Sequence, residues 1–241
     1  MRISISGCAN SGKSTLVEAF KKRWPNYKFP NKTYRDVLVE NGLEHSSKTN
    51  EETQLHILNW MMEEQLKYPK DSHVIYDRCP LDNLVYTLQG NQNGLISDEV
   101  AAATISFVKE SMKQLDIIFW IEYDPRIKIV NDGMRDADKA FIVQTDSIFK
   151  DLFDQYSDNL ESDLFFPKED CPAIIKIEGL SVDDRLSYIG EFIDQSGNLI
   201  ETTKSILDPE NIDILEKMIK DQTDVKVSEE QIKRVMKNIK G

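Results

Sequence analysis

The run Gly7-Cys8-Ala9-Asn10-Ser11-Gly12-Lys13-Ser14 places two glycines with four residues between them, followed by a lysine and a hydroxyl. This is the complete G-x-x-x-x-G-K-[ST] pattern, whose chemistry is the binding of polyphosphate. The glycines let backbone N–H groups converge on a phosphate, and the positive end of a following helix points at the same place. Lys13 then bridges phosphate oxygens and the Ser14 hydroxyl ligates Mg2+. Gly7, Asn10, Ser11, Gly12, Lys13, Ser14 and Thr15 are therefore expected around the phosphates of ATP. A chance glycine turn ahead of a helix is the competing reading, and the strand, loop and helix context argues against it.

Two further groups of residues could complete phosphoryl chemistry. Val74-Ile75-Tyr76-Asp77 reads as a buried strand ending in a carboxylate, and strands of a parallel sheet open onto the ligand crevice at their C-terminal ends. Asp77 should face Ser14 and share the metal. Arg78 follows at once, with a planar fork suited to a phosphoryl group; a strand-end salt bridge is the plainer alternative. Asn131-Asp132-Gly133-Met134-Arg135-Asp136 puts an arginine beside a glycine, shortly after Arg126 and before a helix. Such a segment can close as a lid that brings positive charge and keeps water out, although a solvated charged loop has the same composition.

Lys13, Asp77, Arg78 and Arg135 are thus the catalytic candidates. Arg126 joins the phosphate-loop residues as a nucleotide contact, and Ser14 with Asp77 forms the metal site. Gln54 and Trp60 could meet a base, and Tyr34 and Arg35 could reach substrate, whereas Leu55, Leu58 and Met62 read as core. His45, His56 and His73 lack metal-ligand spacing and read as structural or surface residues.

The elements that must hold these groups alternate between strand and helix. Residues 2–6 are a short β-rich run, and Leu16, Ala19 and Phe20 recur at helical spacing until Trp24-Pro25. A second strand should end near Phe29-Pro30. Leu55, Leu58, Met62 and Leu66 repeat on one helical face over about 51–68, and Pro69 stops that helix. After the strand at 73–77 come a helix from about Leu81 to a turn at 90–94, a helix over about 98–114, and a buried-type strand at 116–123. A polar lid segment covers about 124–158, mostly helical after Ala137. The last strand, 173–177, precedes a helix opened by Ser181 with Asp184 three positions on, close to a capping box. Such alternation implies an α/β fold with a parallel sheet covered on both faces. From Ser196-Gly197 the pattern changes to two short amphipathic helices, announced by Asp208-Pro209 and by Ser228 with Gln231. The expected organisation is a core domain at 1–195 and a C-terminal helical appendage at 196–241.

Composition sets the outer bounds. A chain of 241 residues has room for one full-sized α/β domain and a small appendage. With 40% hydrophobic and 30% charged residues it has the makings of a globular enzyme, not of a disordered chain. The longest strongly apolar run, Ile117-Ile118-Phe119-Trp120-Ile121, is too short for a bilayer, and the N-terminus lacks a signal peptide, so the cytoplasm is expected. Cys8, Cys79 and Cys171 form no C-x-x-C pair and read as reduced thiols. A net charge of −12 weighs against a broad grip on nucleic acid. It leaves room for a small phosphate ligand gathered by Arg35, Arg78, Arg126 and Arg135.

With the phosphate loop, Asp77-Arg78-Cys79-Pro80-Leu81-Asp82 and Asp132-Gly133-Met134-Arg135 in hand, the chain resembles the P-loop nucleoside and nucleotide kinases over roughly residues 1–195. The resemblance is closest to the branch of nicotinamide-riboside-kinase-like domains and phage relatives of thymidylate kinase. It implies a three-layer P-loop NTPase sandwich around a five-stranded parallel sheet of order 2-3-1-4-5, with a helical lid. It implies that Asp77 organises metal-bound water or accepts the acceptor's proton, that Arg78 contacts phosphates, and that Arg135 with Arg126 serves the lid. A purine site would lie near Glu178-Gly179-Leu180. Asp77-Arg78 is followed by Cys-Pro-Leu-Asp instead of the tyrosine or serine typical of thymidylate and deoxynucleoside kinases, so their base preferences do not carry over.

The function expected is transfer of the γ-phosphate of ATP to a nucleoside or nucleoside monophosphate, with Mg2+. A nucleotide-binding switch or ATPase is an alternative, though no N-K-x-D guanine signature is present. A kinase acting on a hydroxymethylated base in phage DNA is another, with the acidic charge against it. Nucleic acid is expected only as a substrate and a membrane not at all; P-loop kinases of this size are often homodimers.

Overall fold

A computed structural model describes residues 1–43, 49–127, 129, 138–157, 164–177 and 181–200. Along the chain come β1 (Arg2–Gly7), α1 (Lys13–Arg23), α2 (Tyr34–Asn41), α3 (Glu51–Leu66) and β2 (Val74–Asp77), then α4 (Pro80–Gln92) and α5 (Asp98–Met112). They are followed by β3 (Ile117–Ile121), α6 (Lys139–Ser157), β4 (Ala173–Ile177) and α7 (Val182–Ile189). The strands pair in parallel in the order β2-β1-β3-β4.

The described residues thus hold four strands in the sheet where five were expected. The absent edge strand is reduced to a single parallel bridge between Lys28 and Val74. There Lys28 N donates to His73 O at 2.8 Å and Ile75 N to Lys28 O at 2.9 Å. Pro25 and Pro30 bracket this segment, and proline has no N–H to extend a ladder. The remaining strands keep the expected relative order, with β1 central.

Alternation along the strands sends side chains to opposite faces. Ile3, Ile5, Ile75 and Phe119 pack with Leu16 and Phe20 of α1 and with Leu186 and Ile189 of α7. On the other face, Val74, Ile118 and Trp120 pack with Leu84 of α4, Met112 of α5 and Phe149 of α6. With both faces covered, the continuous apolar run of β3 is explained.

One helical face differs from its sequence reading. The buried side of α3 is Thr53, Gln54, Ile57, Leu58, Met61, Glu64 and Gln65, while Leu55 and Leu66 are exposed. The helix is turned because α4 and α5 supply polar partners: Asn83 meets Gln54, and the Ser111 hydroxyl meets Gln65. A buried amide with a hydrogen-bonding partner is tolerated inside. Among the described residues, Gln54 is bonded through both its nitrogen and its oxygen, Gln65 through its oxygen alone, so an apolar stripe alone misjudges this helix.

Short-range caps fix the helix starts. Asn50 accepts from Thr53 N at 2.9 Å, Ser181 from Asp184 N at 3.0 Å, and Asp82 from Cys79 N at 3.0 Å with Pro80 opening α4. Met1–Leu199 forms one compact unit. Residues 194–198 return to its edge, where Tyr27 OH donates to Gly197 O at 2.6 Å and Trp24 Nε1 to Asp194 O at 2.7 Å. Most of the expected appendage, 201–241, lies outside the described residues. Among those described, no helix is long and apolar enough to cross a membrane.

Candidate active site

β1 runs into the phosphate loop at Gly7, whose φ of 142° is one that side chains rarely adopt. A Cβ there would also stand 2.5 Å from Ile121 O on β3, so glycine alone lets the two strands end side by side. Lys13, at the start of α1, is 5% exposed. Its ammonium donates to Cys8 O and, at 3.3 Å, to Ser11 Oγ, so the side chain curls back over its own loop. Burial, and then the nearby Arg78 charge, pull the Lys13 ammonium down to about 7.

The register that pairs Ile5 with Asp77 brings the end of β2 beside the loop. There Ser14 Oγ donates to Asp77 Oδ2 at 2.6 Å. Arg78 has φ 82°, and its N–H donates to Ile5 O at 3.1 Å. Such a backbone costs a non-glycine residue about 1–3 kcal/mol and persists where surrounding structure over-determines it. The surroundings do so: Nη1 donates to Asp82 Oδ1 at 3.2 Å and Nη2 to Tyr86 OH at 3.3 Å. Its Cζ lies 5.0 Å from the Tyr34 ring centroid and 5.1 Å from that of Tyr86. Burial opposes the Arg78 charge, but Tyr86, Tyr34, Asp82 and Asp77 outweigh it and hold the guanidinium well above its ordinary value. Asp82, 1% exposed, also accepts from Gly7 N at 3.2 Å, so one carboxylate ties α4, Arg78 and the loop together.

A cleft of about 920 Å3, including the solvent at its mouth, opens above Lys13, Ser14 and Asp77. Tyr34, Tyr86 and Phe141 give it aromatic walls, and Leu38, Ile57 and Met61 an apolar side. Tyr86 stacks on Phe141 with centroids 6.2 Å apart and planes at 29°. Gln54 and Asn83 add an amide pair: Asn83 Nδ2 donates to Gln54 O at 3.0 Å and to Gln54 Oε1 at 2.8 Å. Gln54 Nε2 in turn donates to Thr49 Oγ1 at 2.7 Å. These bonds fix the amide orientations and leave Asn83 Oδ1 buried without a hydrogen-bond partner among the described residues. An adjoining cleft carries Lys21, Phe29 and Trp60, and shares Ser14, Asp77 and Arg78 with the first.

The structure thus brings Gly7, Asn10, Ser11, Gly12, Lys13, Ser14 and Thr15 together with Asp77 and Arg78. The weaker candidates Tyr34, Arg35 and Gln54 line the main cleft, and Trp60 the adjoining one. Arg126 is exposed, lines neither cleft, and pairs with Asp124 through Nη2 at 2.6 Å. Arg135, the rest of the 131–136 segment, the expected purine site at 178–180 and His45 lie outside the described residues. No group of three His, Cys, Asp or Glu residues set as metal ligands occurs among the described residues. A hydroxyl and a carboxylate, Ser14 and Asp77, suit Mg2+, which keeps most of its waters and needs few protein ligands.

Sequence reading gave Asp82 no role of its own and passed over Asn83, Tyr86, Phe141 and Arg185. The first three had a signal, since they stand at helical spacing on the helix that begins just after Arg78. Phe141 and Arg185 reach the site only through tertiary packing.

The fold is one shared with nucleoside and nucleotide kinases of known structure. The AAA domain family matches residues 2–160, and the chain belongs to it. No curated protein matches by sequence. Among solved structures, deoxyadenosine kinase from M. mycoides with dCMP and dCDP is similar at a TM-score of 0.58 and 16% identity, over 79% of this chain and 97% of that one. NadR in complex with NAD and AMP-PNP is similar at 0.55 and 11%, over 85% of this chain and 51% of that chain, about half its length. Thymidylate kinase from Candida albicans follows at 0.53 and 17%, over 83% and 94%.

Proposed function

We propose that this protein is an ATP-dependent kinase that transfers the γ-phosphate to a nucleoside or nucleoside monophosphate. The observation that carries the reading is the cleft opening directly onto Lys13, Ser14 and Asp77. An ATPase needs only water beside its phosphate loop, whereas a kinase needs a second ligand site at that point. The aromatic walls suit a heterocyclic base, and the amide pair of Gln54 and Asn83 lies beside them. Arg35 and Arg78 suit phosphate oxygens. The kinases of similar fold act on such molecules.

In this reading Lys13 leaves its own loop carbonyl for the β- and γ-phosphate oxygens. Ser14 and Asp77 hold Mg2+, which when bound supplies positive charge to the phosphate oxygens. Asp77 accepts the proton of the acceptor hydroxyl as that oxygen bonds to the γ-phosphorus and the bond to ADP breaks. Arg78, fixed by Asp82 and Tyr86, directs positive charge at the transferred group. Arg126 and Arg135 belong to a lid that closes over the nucleotide. Free Cys8, Cys79 and Cys171 fit a reducing cytoplasm.

The test is incubation with Mg-ATP and a panel of nucleosides, nucleoside monophosphates and a hydroxymethylated DNA duplex, following ADP and weighing products. A phosphorylated small acceptor is expected. Transfer only to the duplex, or ADP release at one rate whatever is added, would replace this reading with a DNA kinase or an ATPase.

A further inference from the structure

The phosphate loop is also held from outside, by a residue that the chemistry above does not use. Arg185 of α7 is 4% exposed, and its Nη1 donates to Ser11 O at 2.7 Å. The same nitrogen lies 3.0 Å from where a Cβ on Gly12 would stand. Its carrier is rigid, because Leu186 and Ile189 share a core cluster with Leu16 and Val17 of α1, and Ser181 caps its first turn. Burial draws the Arg185 guanidinium below its ordinary value, while the Asp124 carboxylate pulls the other way.

Peptide geometry gives this contact its meaning. The peptides of the described residues are trans, and in a trans unit the C=O and the following N–H point in opposite directions. Holding the Ser11 carbonyl against Arg185 therefore turns the Gly12 N–H to the far side, and Gly12 lines the cleft. Without a donor, that buried carbonyl would be left unpaired, and the peptide would gain by rotating to find one. Rotation would aim an oxygen at the phosphates in place of an N–H.

We propose that Arg185 is a positioning residue for the phosphate loop, holding the Ser11 carbonyl outward so that the Gly12 N–H is presented to the β-phosphate of the nucleotide. The proposal rests on reading the loop as an ATP site. It reaches beyond that reading by making the geometry of the loop depend on α7, an element after the last strand.

The test compares the full-length wild type with Arg185→Met, which keeps the stem and removes the donors, and with Arg185→Lys, which keeps the charge. Each is titrated with ADP and with AMP, and ligand-free amide spectra are recorded. Arg185→Met is expected to bind ADP about tenfold more weakly, as for loss of a buried charged donor, with AMP binding unchanged because AMP lacks the β-phosphate. Arg185→Lys should recover part of the loss and shift the Gly12 amide resonance without ligand. Equal weakening toward both nucleotides, or no weakening, overturns the proposal. If wild type binds neither nucleotide, the ATP reading fails separately, and an unmoved Gly12 resonance in Arg185→Lys still overturns the role of Arg185. If Arg185→Met does not fold, the lysine variant decides by the same readings.

Discussion

Ser14 Oγ donates a 2.6 Å hydrogen bond to Asp77 Oδ2, so the first turn of α1 and the last residue of β2 present a hydroxyl and a carboxylate to one point. If Asp77 takes the acceptor's proton, Asp77→Asn should keep ADP affinity near wild type and lower kcat by about 100-fold, the scale of general base catalysis. Lys13→Ala should lower kcat/KM by about 100- to 1000-fold through loss of charge on the phosphates. Isothermal titration beside steady-state kinetics separates the two. Normal turnover in Asp77→Asn would remove Asp77 from catalysis.

The curled Lys13 side chain implies a pH dependence. Its folded pKa is lowered to about 7, by burial first and the Arg78 charge second. Between about 7 and the ordinary lysine value of about 10.4, the unfolded chain binds more protons than the folded one. Stability of the ligand-free protein therefore rises with pH across that window, and the destabilising contribution is complete below it. Nucleotide phosphates favour the charged ammonium, so ADP affinity should fall as pH rises above about 7, with proton uptake on binding. Titration in buffers of different ionisation enthalpy reads the uptake. An affinity flat from pH 6.5 to 9 would rule out the coupling.

Legibility in the sequence followed the range of the interactions. The phosphate loop needs only neighbours in sequence and a strand and helix on either side, so it could be read outright. Asp77 and Arg78 could be read because a buried strand ending in a carboxylate has one sensible place in a parallel sheet. The edge strand near Phe29 was over-read, since its pairing is lost between Pro25 and Pro30. The face of α3 was misjudged because Gln54 and Gln65 are buried by partners on α4 and α5, which no periodicity in α3 records. Arg185 is further still, because it meets Ser11 only after the whole sheet is assembled.

Asp82 offers a stability test. It is 1% exposed, and it accepts from Arg78 Nη1 at 3.2 Å and from Gly7 N at 3.2 Å. Asp82→Leu leaves a buried guanidinium uncompensated, a loss of about 3 kcal/mol, or about 10 °C in Tm for a chain of this size. The double variant Asp82→Leu/Arg78→Met should recover much of the Tm and none of the activity. A single variant as stable as wild type would show that Asp82 does not carry the Arg78 charge.

Gly7 tests the strand junction. Gly7→Ala sets a Cβ 2.5 Å from Ile121 O on backbone at φ 142°, and neither can shift without moving β1 from β3. Thermal unfolding should show a loss of about 3 kcal/mol or more, as strain and overpacking combine. An unchanged Tm would mean that the loop can leave the sheet edge freely.

The acceptor cleft makes a prediction that separates its two kinds of wall. Gln54 and Asn83 form a fixed amide pair, with Asn83 Nδ2 donating to Gln54 Oε1 at 2.8 Å, whereas Tyr86 offers a ring stacked on Phe141. Losing a hydrogen-bonding partner hurts only those acceptors that carry the matching group, and leaves the rest to bind by stacking. Asn83→Leu should therefore raise KM about tenfold for an acceptor whose base bears an N–H donor, and little for one without it. Tyr86→Leu should weaken every aromatic acceptor by a similar small factor, about 1 kcal/mol for a lost stacking contact. But Tyr86 OH also accepts from Arg78 Nη2 at 3.3 Å. Its variant should lower kcat as well as raise KM, and Tyr86→Phe should show the kcat loss alone. Equal effects of Asn83→Leu on acceptors with and without the N–H group would remove the amide pair from base recognition and leave that task to shape.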